Sequence, residues 1–270
     1  MTKAHDGIDT LRLVQFTDMH LYADAQRDLL GVTTEQSFLD TLQLARAEQW
    51  PVTAVLATGD LVHDCSAAGY QRLRAHFATL DVPVHCLPGN HDDPDLMAQH
   101  LAGGSVQIST CVDYDTWRIV MLDSTIRGSD AGHLAPAQLA LLESQLANAG
   151  ARHVLICLHH NPIAVGSPWL DTMMVDNAAE FFAIVDRHPA VRAILWGHVH
   201  QNVDTQRRGV RLLASPSTCI QFQPQSSAFA LDEAAPGYRW LVLHGDGGIA
   251  TDIARLANFT APLDRQSAGY

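Results

Sequence analysis

The chain has 270 residues and a formal net charge of −12, with 47% hydrophobic and 17% charged residues. That length admits one large domain or two small ones with an ample core, and that balance excludes general disorder. The acidic excess argues against non-specific nucleic-acid binding and against anionic membrane surfaces, which both require Lys and Arg.

The first residues, Met1 to Asp6, show no signal-peptide core, and no run reaches 18 apolar residues. A cytoplasmic protein with no membrane partner is expected. Strand-like apolar runs then recur, each ending in polar residues. Leu11–Phe16 runs into Thr17-Asp18-Met19-His20. Thr34–Glu48 has Phe38, Leu42 and Ala45 at helical spacing. Thr53–Thr58 reads as a strand ending in Gly59-Asp60, and Ser66–Leu80 as a helix. Val84–Leu87 is a short strand ending in Pro88-Gly89-Asn90-His91-Asp92, followed by a helix over Pro94–Leu101. Asp92, Asp93 and Asp95 read as first-turn charges of that helix.

Val106–Cys111 and Arg118–Leu122 read as neighbouring strands, and Pro136–Leu146 as a helix with Pro in its first turn. His153–Leu158 is a strand ending in His159-His160. The connection Asn161–Val175 is long enough to be functional. After a helix over Ala178–Arg187, the strand Ala193–Trp196 ends in Gly197-His198-Val199-His200. Val203–Gln206, Val210–Leu213, Phe229–Leu231, Tyr238–Leu243 and Ile249–Ala254 complete the strands. The early alternation predicts parallel pairing, and the strand-rich end predicts a second, partly antiparallel sheet. With no repeat or linker, residues 1–259 read as a single domain and 260–270 as a loosely ordered tail.

The 15 His, set against 17 Lys and Arg, prompt a search for a metal site. Cys65, Cys86, Cys111, Cys157 and Cys219 contain no Cys-x-x-Cys pair, so thiolate zinc and a disulfide frame are not indicated. Five strand ends instead carry Asp18/His20, Asp60, Asn90/His91, His159/His160 and His198/His200. Ligands of open α/β sheets bind at the carboxyl ends of strands. Side chains two apart in extended backbone point the same way, so Asp18 with His20, and His198 with His200, can each face one ion. Carboxylate, amide and imidazole together suit Zn, Mn or Fe. Gly59, Gly89 and Gly197 allow tight turns and close approach. Each fragment alone is an ordinary turn or a surface His pair; the five together are not.

As a set, Asp18-x-His20, Gly59-Asp60-x-x-x-Asp64, Gly89-Asn90-His91-Asp92, His159-His160 and Gly197-His198-x-His200 resemble the calcineurin-like metallophosphoesterases. A narrower similarity to the bacterial class III 3′,5′-cyclic AMP phosphodiesterases covers nearly the whole chain. It rests on Leu29-Leu30-Gly31-Val32, Trp169-Leu170-Asp171, Pro216-Ser217-Thr218-Cys219-Ile220-Gln221-Phe222 and Ala235-Pro236-Gly237-Tyr238-Arg239. The resemblance implies an α/β fold, a four-layer α-β-β-α sandwich of two mixed sheets flanked by helices. It implies one ion held by Asp18, His20, Asp60 and His200, and another by Asp60, Asn90, His159 and His198. The ions would be divalent or mixed-valence Fe, Mn or Zn.

The resemblance further implies His91 as general acid or electrostatic stabiliser, with Asp64 as its catalytic partner. A ligand directly after the strand is His159, whereas a His-x-Pro spacing selects His160. The closeness of the other ligands to strand ends favours His159 and leaves His160 either behind the ligands or facing substrate, the other expected substrate contacts being His20, Asn90 and His91. The implied reaction is attack of a metal-activated hydroxide on 3′,5′-cyclic AMP, a small-molecule partner, yielding 5′-AMP. Trp169, Met173 and Met174 either wall a base pocket or cover the core edge, while Cys219 and Phe222 read as packing residues. Other phosphoesterase substrates, and a metal-free interaction scaffold, remain as alternatives.

Overall fold

The structure is a computed structural model describing residues 10–269; the leader reading of Met1 to Asp6 lies outside them. The chain begins with β1 (Thr10–Phe16), a small hairpin of β2 (Asp28–Leu29) and β3 (Val32–Thr33), and α1 (Thr34–Gln49). It continues with β4 (Ala54–Thr58), α2 (Ala67–Ala78), β5 (Val84–Leu87), α3 (Pro94–Leu96) and β6 (Val106–Ile108). β1, β4, β5 and β6 pair in parallel, as the alternation requires. The expected helix over Pro94–Leu101 is only half α-helical, since Met97–Leu101 winds as a π-turn closed by Ala102 N donating to Met97 O.

A second sheet follows. β7 (Cys111–Asp113) and β8 (Trp117–Met121) precede α4 (Pro136–Ala147), β9 (His153–Cys157), α5 (Pro168–Asp171), α6 (Ala178–Val185), β10 (Val191–Trp196), β11 (Val203–Arg207) and β12 (Val210–Ala214). Its order is β11-β12-β10-β9-β8-β7. After a short ladder of β13 (Gln221–Phe222) and β14 (Leu231–Asp232), β15 (Gly237–His244) and β16 (Ile249–Arg255) return to the first sheet, in the order β16-β15-β1-β4-β5-β6. Two expectations are thereby corrected. Val106–Cys111 is not one strand: the polar Ser109 and Thr110 lie where the chain passes from one sheet to the other. The last two strands extend the first sheet, β15 antiparallel to β1 and β16 antiparallel to β15, and do not build the second.

Side-chain alternation explains the layers. Leu11, Leu13, Leu56, Ile119, Leu155, Cys157 and Leu195 meet between the sheets. The opposite faces, including Val14, Phe16 and Val55, pack on Phe38, Leu42 and Leu73 of α1 and α2. Val154, Ile156 and Trp196 pack on Leu142 of α4 and Phe181 of α6. Strands buried on both faces need continuous apolar runs, which is why the sequence shows so few alternating ones. The result is the expected α-β-β-α sandwich. Among the described residues no helix is long and apolar enough to cross a membrane.

Candidate active site

The parallel strands β1, β4 and β5 of one sheet and β9 and β10 of the other point their carboxyl ends to one edge of the sandwich. The loops leaving them are not extended. Asp18, His20, Asp60, His198 and His200 all have φ between 48° and 61°, in the left-handed region. Such positions cost about 1–3 kcal/mol each and cluster at functional sites, although Asp and His tolerate them better than most residues. The strain is held by cross-loop hydrogen bonds. Asp18 N donates to Gly59 O (3.0 Å), His20 N to Asp60 O (2.9 Å) and Gly197 N to His159 O (3.1 Å). Close approach matters at two glycines. A Cβ on Gly89 would sit 2.2 Å from Asp60 Oδ1, and one on Gly197 would sit 2.0 Å from Thr17 Oγ1.

These loops bring all seven expected ligand residues together. His200 Nε2 lies 3.3 Å from Asp18 Oδ1 and 3.4 Å from His20 Nε2, which is 3.7 Å from Asp60 Oδ2. His159 Nε2 lies 3.4 Å from Asp60 Oδ2 and 3.1 Å from Asn90 Oδ1, which is 3.2 Å from His198 Nδ1. Asp60 therefore stands between two groups. The expectation that His198 and His200 face the same way is corrected: with both in left-handed backbone, His198 turns to Asn90 and His200 to Asp18. His159 is the ring that reaches Asp60. His160 is fully buried behind it, with Nδ1 2.8 Å from Ser124 Oγ and its ring 4.6 Å from that of His198.

The outward nitrogens have identifiable partners. His159 Nδ1 donates to Thr58 O (2.9 Å) and His200 Nδ1 to Ile220 O (2.8 Å), which in the neutral ring aims the Nε2 lone pair inward. Ser217 Oγ donates to Asp18 O (2.7 Å), and His198 N donates to the Asp18 carboxylate (3.1 Å). The Pro216–Phe222 stretch thus backs Asp18 and aims His200. Behind the site, Gln15 Nε2 bridges the sheets by donating to Thr58 Oγ1 (2.7 Å) and Trp196 O (3.3 Å). Neither Gln15 nor the two carbonyl partners could be singled out from sequence, because carbonyls are anonymous and a strand Gln is ordinary.

Charge is organised to attract a cation. Burial holds His20 and His160 well below the usual imidazole range. Burial, reinforced by His159, pushes His198 down to about 3. His159 goes the other way: burial opposes protonation, but the Asp60 and Asp18 carboxylates outweigh it and raise the ring to about 9. Asp60 is buried too, which alone would raise it, yet His159 and His91 hold it well below the carboxylate range. The site is rich in unshared pairs, and the buried Nε2 atoms of His160 and His198 have no hydrogen-bond partner. Asp18, His20 and His200 form one group able to hold an ion, and Asp18, Asp60 and His159 another. This oxygen–nitrogen donor set fits two first-row metal ions.

His91 sits at the rim, its backbone N donating to Asp60 Oδ1 (2.9 Å). The expected pairing with Asp64 is corrected. Asp64 is exposed, and its oxygens accept from Ala23 N (2.9 Å) and Ser66 N (3.2 Å), at the start of α2. The ring stacked on His91 is His63, at 4.5 Å and 21°, a residue the sequence reading passes over. Asp92 is likewise no first-turn charge. It is buried, accepts from Leu61 N, Val62 N, Gly89 N and Tyr70 Oη, and ties the Asp60 loop to the Asn90 loop. Asp93 caps α3, accepting from Asp95 N and Leu96 N.

A cavity of about 210 Å³ opens beside the donors. Asp60, Asn90, His91 and His198 form its floor, and Trp169, Met173, Phe222 and Phe229 an aromatic and apolar wall. Trp169 meets Phe222 and Phe229 edge-on at 5.0 and 5.3 Å, while Phe222 stacks on His200 at 4.1 Å. Phe222, read from sequence as packing only, is therefore a wall residue; Met174 is not among those lining the cavity. Residues 260–269 carry no helix or strand, yet Asp264 N donates to Leu30 O (3.1 Å), and Ala268 and Gly269 reach the cavity.

Two imidazole–carboxylate groups sharing one aspartate, set on the strand-end loops of an α-β-β-α sandwich, define a metal-dependent phosphoester hydrolase. The chain belongs to the calcineurin-like phosphoesterases, whose family pattern matches residues 11–202. It is 43% identical over 258 residues to the 3′,5′-cyclic adenosine monophosphate phosphodiesterase CpdA of Pseudomonas aeruginosa, covering 96% of this chain and 94% of that one. The enzyme of the same name from Escherichia coli K12 is 41% identical over 265 residues, covering 98% and 96%. A dimetal phosphatase from Danio rerio shares the fold, with a TM-score of 0.61 at 17% identity over 89% of this chain and 98% of that one.

Proposed function

We propose that this protein hydrolyses 3′,5′-cyclic AMP to 5′-AMP at a site holding two Fe, Mn or Zn ions. The observation that carries the reading is the cavity itself: clustered donors on its floor face an aromatic wall. The near full-length similarity to phosphodiesterases named for that substrate selects it among phosphoesters. Asp18, His20, Asp60 and His200 would hold one ion, and Asp60, Asn90, His159 and His198 the other. When bound, the ions supply Lewis-acid stabilisation of the phosphate charge and an acidified water.

The chain's own residues do the rest. The wall orients the base, since an aromatic face stacks on any purine. His91, fixed through its backbone to Asp60 and lining the cavity, would donate a proton to the departing 3′ oxygen. In the balanced reaction water's oxygen bonds to phosphorus, the P–O3′ bond breaks, and one proton reaches O3′. Five cysteines with no disulfide among them accord with a reducing cytoplasm. The test is hydrolysis of 3′,5′-cyclic AMP, 3′,5′-cyclic GMP, 2′,3′-cyclic AMP and 5′-AMP by metal-loaded protein, with Asp60→Ala as control. Turnover of 3′,5′-cyclic AMP to 5′-AMP, absent from the control, is expected. Turnover confined to 2′,3′-cyclic AMP or 5′-AMP overturns the substrate assignment.

A further inference from the structure

His159 and His200 are aimed by main-chain carbonyls. His20 is served differently: its Nδ1 lies 3.1 Å from Nδ1 of another imidazole, His63. Two like nitrogens at that distance share one proton, and a neutral imidazole carries only one. If His63 donated, His20 would hold its proton on Nε2, directed at His200 Nε2 and Asp60, and would have no inward lone pair. If His20 donates, its Nε2 lone pair joins the cluster, and His63 is fixed as the tautomer protonated on Nε2. Only the second arrangement makes His20 an ion ligand.

The His63 ring is itself clamped. It meets the Tyr22 ring at 4.9 Å and stacks on His91 at 4.5 Å and 21°. One side chain thus touches both a ligand residue and the proton donor. We propose that His63 is a positioning residue for phosphodiester hydrolysis, its Nδ1 accepting from His20 to expose the His20 lone pair and its ring acting as a shelf for His91. The proposal rests on the two-ion reading of the site. It goes beyond that reading by adding an imidazole outside the ligand set.

The two contacts separate by substitution. His63→Phe keeps the ring and removes the acceptor; His63→Asn keeps an acceptor near the Nδ1 position and removes the ring. Mn²⁺ affinity is measured by chelator competition, and kcat on bis(4-nitrophenyl) phosphate at saturating Mn²⁺. His63→Phe is expected to bind one of the two ions roughly 10–100-fold more weakly, the usual effect of losing a partner behind a ligating His. Its kcat should recover at saturating Mn²⁺. His63→Asn is expected to keep wild-type Mn²⁺ affinity and lose kcat. Wild-type affinity in His63→Phe overturns the proposal. So does equal loss of both properties in the two variants, which marks a merely structural residue, or a third Mn²⁺ that disappears in both. A wild-type protein that binds no Mn²⁺ instead overturns the two-ion reading.

Discussion

The floor and the wall of the cavity face each other across a few ångströms and are built in different ways. The floor residues and the donors beneath them stand at or just beyond strand ends, five of these side chains in left-handed backbone, each tied by hydrogen bonds to a neighbouring loop. The wall is drawn from α5, the loop after it, β13 and the turn before β14, and is held by ring-to-ring contact. Polar donors buried together must each find a partner, so few residue types in few backbone shapes will serve. An apolar wall needs only volume and shape, which many sequences supply.

Asp60→Ala would break the floor most completely, because this carboxylate lies 3.7 Å from His20 Nε2 in one donor group and 3.4 Å from His159 Nε2 in the other. Turnover should fall at least about 10³-fold with loss of bound ion, measured by metal analysis and kinetics. His91→Ala should lower kcat roughly 10²–10⁴-fold with both ions retained, because the proposed mechanism gives it the part of a proton donor and not of a ligand. Asp92→Asn should leave the ligands in place and cost roughly 2–3 kcal/mol in urea unfolding, because an NH₂ would replace an oxygen that faces donors. On the wall, Phe222→Ala should raise KM for 3′,5′-cyclic AMP roughly 3–10-fold with kcat little changed. An equal loss in kcat would show that wall and floor are not separable, through the stack of Phe222 on His200.

The smallest effect lies outside both regions. His85 is buried between Ser109 Oγ (3.0 Å) and Tyr114 Oη (3.3 Å), and burial lowers its pKa from 6.5. Unfolded His85 takes up a proton near pH 6.5 and the folded ring does not. Its contribution to stability is therefore complete above pH 6.5 and declines as pH falls below it. Urea midpoints of His85→Gln should fall less steeply between pH 6.5 and 5 than those of the wild type.

The same contrast explains what the sequence disclosed. The seven donor residues are legible because Asp, Asn and His at successive strand ends are rare together. Their distribution into two groups is not, since the period-two argument assumed extended backbone and the loops are left-handed. Asp92 is not legible, because a buried carboxylate accepting from amides of two loops looks, in one dimension, like a helix-start charge. His63 carries no sequence signal, because its stacking partner is a ring brought in from the Asn90 loop. Phe222 and Phe229 carry no spacing signal at all. The sandwich was legible because doubly buried strands are written as apolar runs, but the crossing at Ser109 and Thr110 looked like the middle of one strand.

The left-handed backbone under the donors has a consequence for how such a site is lost. Asn is among the residues most at ease with positive φ, so Asp18→Asn or Asp60→Asn exchanges a charge for an amide and leaves the loop its shape. A β-branched replacement at the same positions would disturb chemistry and loop together. Substitutions that silence this protein thus divide into those that leave a well-folded mimic and those that leave a damaged one. A silent copy of the first kind would keep its cavity and its surface, available for binding without turnover.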